Sequence, residues 1–388
     1  MTPPTKSALA EITEIEPPTY KNNLTVFTLA GVPFTPWKVV KAALAARLNI
    51  GLYGEQGMGK SQLFADVRSL AGNEAVQFYG RNDLDVKVAF RRLGLSKVAQ
   101  ALKEGTDLDE SELIQMTSAV YKPLILVEEI NRSVEMVQNQ HLSLMEGFLE
   151  LGDGKRYVLG GGKRHTFHYP DGETFETNTR YSVGLWTANS GTSYTGTSTM
   201  DPALKGRTHL ILDVDNFDPE NEDLDEIVLN SGGEPRLKEA DNPKNRIALF
   251  EQAYLDMLQR SFTPQVNLIQ EEVMLFRYLV KGLNYIDCAG AEYSKRKMKS
   301  WPRGAEEKNI GTTEEEKYLY RVVQPASVRG ALSILTFARA LREYARAENP
   351  RAKPNVLDSV VESMVLMGAY IMLGNPQQIS YSHFVSVI

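Results

Sequence analysis

The chain is expected to fold as an αβα sandwich on a five-stranded parallel sheet, followed by an all-helical region. Three observations lead there. Five short apolar runs alternate with helix-period segments between residues 24 and 215, one junction among them is Gly-rich and ends in Lys-Ser, and helical periodicity takes over after about residue 240. Strands that are apolar throughout and separated by helices need a sheet covered on both faces.

In chain order, residues 1–23 (MTPPTKSALAEITEIEPPTYKNN) are rich in Pro, Thr and Glu and read as a flexible N-terminal arm. They lack the basic start and apolar run of a secretory leader. Strands are expected at Leu48–Tyr53, Ala75–Tyr79, Leu124–Val127, Ser182–Thr187 and His209–Val214, with helices over Gln62–Leu70 and Met136–Glu150. Two segments interrupt the rhythm of this 24–215 core. One is Val86–Gly105, with extra helix-like material; the other is Gly152–Thr179, whose Asp171-Gly172 pair suits a tight hairpin turn. Eight acidic residues fall between Asp213 and Glu226, and Ser231-Gly232-Gly233 and Pro235 follow. Residues 216–388 therefore read as an acidic linker and a helical domain, with helices at Ile247–Arg260, Glu271–Tyr285, Ser327–Ala347 and Val356–Leu373. Glu292–Lys317, opening on Lys295, Arg296, Lys297, Lys299 and Arg303, reads as an exposed insertion.

Composition narrows the function classes. The net charge of −6 over 388 residues argues against a dedicated duplex-DNA or anionic-membrane binder. A single cysteine, Cys288, excludes an internal disulfide framework and favours a reducing, cytoplasmic setting. The longest nearly apolar run, Met364–Leu373, is ten residues, against the about 20 that a bilayer span requires. The five histidines form no ligand cluster; His165 and His168 sit three apart in a strand and so face opposite ways.

Chemistry concentrates first in Gly54-Glu55-Gln56-Gly57-Met58-Gly59-Lys60-Ser61, a full match to the phosphate-binding loop, with Gln62 opening the helix that follows. Its glycines let backbone N–H groups turn inward around phosphates, and the helix adds its positive end. Lys60 would reach the β- and γ-phosphates of ATP, and Ser61 would give an oxygen to Mg²⁺. The second element is the apolar strand Pro123–Val127, ending in Glu128-Glu129-Ile130-Asn131-Arg132. Adjacent residues of a strand point apart, so Glu128 can serve the metal shell while Glu129 polarises water.

Acidic-Glu-Ile-Asn-Arg downstream of such a loop resembles the AAA+ ATPases, in particular the MoxR-like group, although members usually carry Asp where this chain has Glu128. The resemblance covers about residues 30–215 well and 320–345 by one motif. It implies that Asn189, ending the strand VGLWTAN, is the sensor 1 residue, and that Arg207 of Met200-Asp201-Pro202-Ala203-Leu204-Lys205-Gly206-Arg207 is the arginine finger offered to a neighbouring subunit. The family shows Asp-Arg-Phe here; this chain has Gly206-Arg207-Thr208. Arg329, in Pro325-Ala326-Ser327-Val328-Arg329, matches the sensor 2 arginine, which reaches back to the γ-phosphate from the lid. A strand-end asparagine and two exposed helix-end arginines are the plain alternatives for these three. The resemblance makes 86–105 the helix-2 insertion and 152–179 the hairpin before sensor 1. It also implies a ring, a hexamer, that remodels a client protein, often with a partner bearing a von Willebrand factor A domain. Arg132 would serve an inter-subunit or substrate-linked contact. Lys155, Arg156, Lys163 and Arg164 make the hairpin basic, suited to a polymer or a protein. Two other readings stay open: a nucleic-acid motor or McrB-like restriction nucleotidase subunit, and an ATP-bound scaffold that hydrolyses weakly.

Overall fold

In the computed structural model, the residues described are 6–106, 114–150, 156–168, 172–189, 201–231, 240, 243–261, 266–281 and 326–371. The chain opens with α1 (Ala8–Thr13), the hairpin β1 (Phe27–Leu29) and β2 (Val32–Phe34), and α2 (Pro36–Ala45). Then come β3 (Ile50–Gly54), α3 (Lys60–Ala71), β4 (Ala75–Tyr79), β5 (Arg91–Leu93), α4 (Leu95–Glu104), β6 (Ile114–Met116) and β7 (Leu124–Glu128). These are followed by α5 (Glu135–Met145), β8 (Phe148–Glu150), β9 (Arg156–Val158), β10 (Lys163–His168), β11 (Thr174–Thr179), β12 (Val183–Asn189), α6 (Pro202–Lys205) and β13 (Leu210–Asp213). The last helices are α7 (Asn221–Ser231), α8 (Ile247–Ser261), α9 (Val266–Lys281), α10 (Val328–Glu348) and α11 (Val356–Ile371).

The five expected strands pair in parallel in the order β13-β3-β12-β7-β4. Successive strand side chains point to opposite faces, and the sheet uses this fully. Leu124 and Leu126 join one core cluster while Ile125 and Val127 join the other; Ile211 likewise parts from Leu210 and Leu212. The first cluster takes in α1, α2 and α3 together with α8, α10 and α11, so the C-terminal helices share a core with one face of the sheet. On the other face Trp186, 1% exposed, sits against Gly51 of β3 and donates its indole N–H to Thr208 Oγ1 at 2.8 Å. Only glycine fits at position 51, where a Cβ would stand 2.2 Å from the indole.

Three expectations need correction. The N-terminal arm is not loose over residues 6–23. Ser7 caps α1, Leu9 and Ile12 are buried, and the helix packs against α8 and α10. A polar composition concealed a short apolar stripe, and tertiary partners satisfy the carbonyls that so short a helix leaves open. Lys41, buried in α2, donates to Ile12 O, Thr13 O and Ile15 O at 3.0, 2.9 and 2.7 Å. Secondly, Met136–Glu150 is not one helix: α5 ends at Met145, Gly147 turns the chain with φ +80°, and Phe148–Glu150 pairs with β9. Thirdly, the acidic stretch after β13 is partly helical, as α7. Its first-turn acids Glu222 and Asp223 suit the positive end of a helix.

The Val86–Gly105 interruption is an excursion in which β5 and β6 pair antiparallel on either side of α4. The second interruption holds the β10–β11 hairpin, Lys163 opposite Thr179 and His168 opposite Thr174. Its turn residue Asp171, the basic residue Lys155, the side chain of Lys163, Cys288 and the basic insertion at 292–317 lie outside the described residues. No helix among the described residues is long and apolar enough to cross a membrane.

Candidate functional site

The C-terminal edge of the sheet gathers the predicted chemistry. β3 delivers the chain into the loop at Gly54, and α3 starts at Lys60. Gly57 and Gly59 hold φ of +91° and +76°, a left-handed backbone that glycine adopts without strain. Gly59 is the N-cap of α3 and has no side chain to cap it, so this helix end is built to receive an anion instead. Within the loop, Glu55, Gln56 and Gly57 are exposed and Met58 packs on the core; Ser61 is exposed at the helix start. Gln62 is turned away, its amide donating to Thr19 Oγ1.

Lys60 is 6% exposed. Its ammonium donates to Gly54 O at 2.8 Å and to Glu55 O. Burial pushes its pKa below the usual lysine value, while Asp215, Glu129, Asp213 and Glu55 push it back up. Asp215 was not anticipated from sequence. It follows β13, the neighbour of β3, and its Oδ1 accepts the Glu55 N–H at 2.6 Å, fastening the first residue of the loop.

The acidic pair stands two strands away. Glu128 ends β7 and accepts from Gln77 Nε2 at 3.0 Å. Glu129 takes a left-handed φ of +50°, and its carboxylate meets Asn189 on β12 where that of Glu128 meets Gln77 on β4. Its N–H donates to Thr187 Oγ1 at 2.8 Å, its Oε1 accepts from Asn189 Nδ2 at 3.3 Å, and its Oε2 pairs with Arg132 at 2.9 Å. Asn131 ties the end of β12 in place through both its amide and the Asn189 backbone. Asn189 pairs in register with Gly54, so the loop, the amide and the two carboxylates occupy one edge. Thr187 and Asn131 carry no signal in the sequence beyond lying in or next to these motifs. Glycine loop, ammonium, exposed hydroxyl and carboxylate together form a donor set suited to a phosphate chain with a hard cation. Among the described residues no cluster of three or more His, Cys, Asp or Glu could hold a metal by protein ligands alone.

The remaining two residues lie at the opposite edge. Arg207 O accepts from the side chain of Asn49, the residue before β3. Its Nε stands 2.8 Å from Glu146 Oε1, as a charge contact rather than an aligned hydrogen bond, and its Nη1 donates to Ala203 O. Arg329 meets the same Glu146 oxygen at 3.3 Å and Gly206 O at 3.4 Å. The length of β3, about 16 Å at 3.3 Å per residue, separates this pair from the loop. The expectation that Arg329 reaches back to a γ-phosphate on its own chain is thus corrected. α10, capped by Ser327, begins beside the N-terminal ends of the strands, and Glu146 supplies the anion that a first-turn arginine needs.

Comparison with family models and with characterised protein sequences yields no match. Among solved structures, the chain is similar to a candidate ATPase of Cytophaga hutchinsonii, with a TM-score of 0.54 and 14% identity over 89% of this chain and 85% of that one. At that identity the likeness establishes the fold alone: the α/β sheet followed by helices.

Proposed function

We propose that the chain is a magnesium-dependent ATPase of the MoxR-like AAA+ group. It works in the cytoplasm as a ring, a hexamer, that remodels or activates a protein partner, one with a von Willebrand factor A domain being the partner class the resemblance implies. The observation that carries this reading is the split between two half-sites. Lys60, Glu128, Glu129 and Asn189 share one sheet edge, whereas Arg207 and Arg329 converge on Glu146 at the other. One chain cannot close both around one nucleotide, but a neighbouring copy can supply the arginines.

In this reading the loop backbone and Lys60 hold the β- and γ-phosphates, and Ser61 and Glu128 serve the magnesium shell. Bound magnesium would neutralise the charge that builds on the phosphates. Glu129 accepts a proton from the attacking water, and Asn189 and Thr187 fix its orientation. Arg207 and Arg329 of the next copy stabilise charge on the transferred phosphoryl group.

The test is turnover against protein concentration, followed by mixing. Specific activity should rise as rings assemble, and ATP should favour assembly. Arg207→Ala should bind ATP yet turn it over about 10³-fold more slowly. Mixing it with Lys60→Ala should restore activity, because some interfaces then pair an intact loop with an intact arginine. Turnover independent of concentration, or mixtures no better than either variant, would sink the shared-site reading. Strong stimulation by duplex DNA would favour the nucleic-acid motor instead.

A further inference from the structure

A cavity of about 530 Å³ opens at the N-terminal edge of the sheet, away from the loop, between the β10–β11 hairpin, the end of α2 and α8. Its polar wall includes Arg47, Arg180 and Asn178, and its apolar wall includes Phe167, Tyr254 and Leu258. Among the described residues no Asp or Glu lines it, and neither arginine has an ion pair. Arg47 Nη1 donates to the Tyr254 hydroxyl at 3.0 Å, with its guanidinium 5.4 Å from the centre of that ring. Arg180 donates to the backbone carbonyl of Glu146 at 3.1 Å. Two guanidiniums on one cavity with no carboxylate between them repel; burial, then Arg47 and Arg156, hold the Arg180 pKa below the ordinary arginine value.

The backbone at Arg47 gives a second, independent observation. α2 ends in a Schellman turn, with Leu48 N bonded to Ala43 O at 3.0 Å and Arg47 N to Leu44 O at 2.9 Å. The left-handed residue of that turn is ordinarily glycine, yet here it is Arg47, at φ +58°. A strained position kept for a long cation that lines a cavity points to a ligand for that cation. The cavity lies in the size range of sites for small molecules. Two positive charges call for a dianion rather than a single carboxylate.

We propose that this cavity binds a phosphate monoester of nucleotide size, its phosphate between Arg47 and Arg180 and its organic body against Tyr254, Phe167 and Leu258. The site is separate from the phosphate loop, one strand length away. Through the Glu146 backbone it adjoins the carboxylate that holds Arg207 and Arg329, so its occupancy can bias those arginines.

The experiment is calorimetric titration of the full chain carrying Lys60→Ala, at protein concentrations below assembly, with AMP, inorganic phosphate and benzoate as probes. AMP should bind once per chain and more tightly than phosphate, with benzoate weakest. Arg180→Gln and Arg47→Gly, each added to Lys60→Ala, should weaken AMP at least tenfold. Arg47→Gly removes the backbone strain, so its Tm should not fall, which separates lost binding from lost folding. AMP affinity unchanged in both variants, benzoate binding as tightly as AMP, AMP no tighter than phosphate, or binding seen only in assembled rings would each overturn the proposal. Should Lys60→Ala leave the loop competent, a second binding event would survive Arg180→Gln, so failure of the ATPase reading is visible separately.

Discussion

Asp66 anchors the N-terminal strap to the helix that carries the phosphate loop, and its removal should be costly. The side chain sits on α3 with no exposed surface. Its carboxylate accepts three hydrogen bonds: from Thr19 N at 2.9 Å, Tyr20 N at 2.7 Å and Thr19 Oγ1 at 2.5 Å. A hydrogen bond to a charged group contributes about 1.5–3 kcal/mol, and a buried donor left without its partner costs about 1–3 kcal/mol. The three bonds share one carboxylate, and removing it also removes that group's own desolvation, so they do not add. Asp66→Ala should therefore lower stability by about 3–5 kcal/mol, the range for breaking a buried charged network. Thr19→Val deletes the hydroxyl's bond to the carboxylate and the acceptor of the Gln62 amide, and should cost about 1–2 kcal/mol. The assay is urea unfolding followed by tryptophan fluorescence, since Trp37 packs beside the strap with its indole N–H on Ile15 O. The double variant should cost less than the sum, because Asp66→Ala has already removed the bond that Thr19→Val deletes. A loss under about 1 kcal/mol for Asp66→Ala, or strict additivity, would show that the carboxylate does not hold the strap.

Burial pushes His141 from 6.5 down to about 4, so between those values the unfolded chain binds a proton that the folded chain refuses. The stability this group contributes is then complete above pH 6.5 and falls as pH drops towards 4, by about 3 kcal/mol in all. His141→Leu should flatten that part of the urea-midpoint curve without levelling it, because half-buried His209 is pushed down to about 4 as well; an unchanged slope refutes the account. Gly51→Ala drives a Cβ to 2.2 Å from the Trp186 indole and should cost about 2–3 kcal/mol, whereas a neutral result would mean that the ring can move aside. Glu129→Gln should leave ATP binding intact and lower turnover by about 10²-fold or more. If Glu128→Gln proved the more damaging of the two, the assigned roles would be exchanged.

The phosphate loop, the acidic strand end and the five strands were legible because their signals are local. Glycines, a lysine and an apolar run within about fifteen residues state their own backbone requirements. Asn189 was named only through the resemblance, and the register of β12 with β3, Asn189 opposite Gly54, is what puts it at the shared edge. Sequence proximity did not disclose what distant segments do to one another. Leu9 and Ile12 become core only because α8 and α10 lie across them, and Asp66 gains its role only when Thr19 and Tyr20 arrive from 47 and 46 residues away. The placement of Arg329 was decided wholly in three dimensions. Its helix-start context resembles a phosphate-reaching arginine, but α10 docks beside Glu146, and the length of β3 then keeps it from the loop of its own chain. Arg47 and Arg180 belong to no motif at all. A turn at the end of α2 and the residue three before β12 bring them to one cavity, because parallel strands collect the residues that precede them along a common edge.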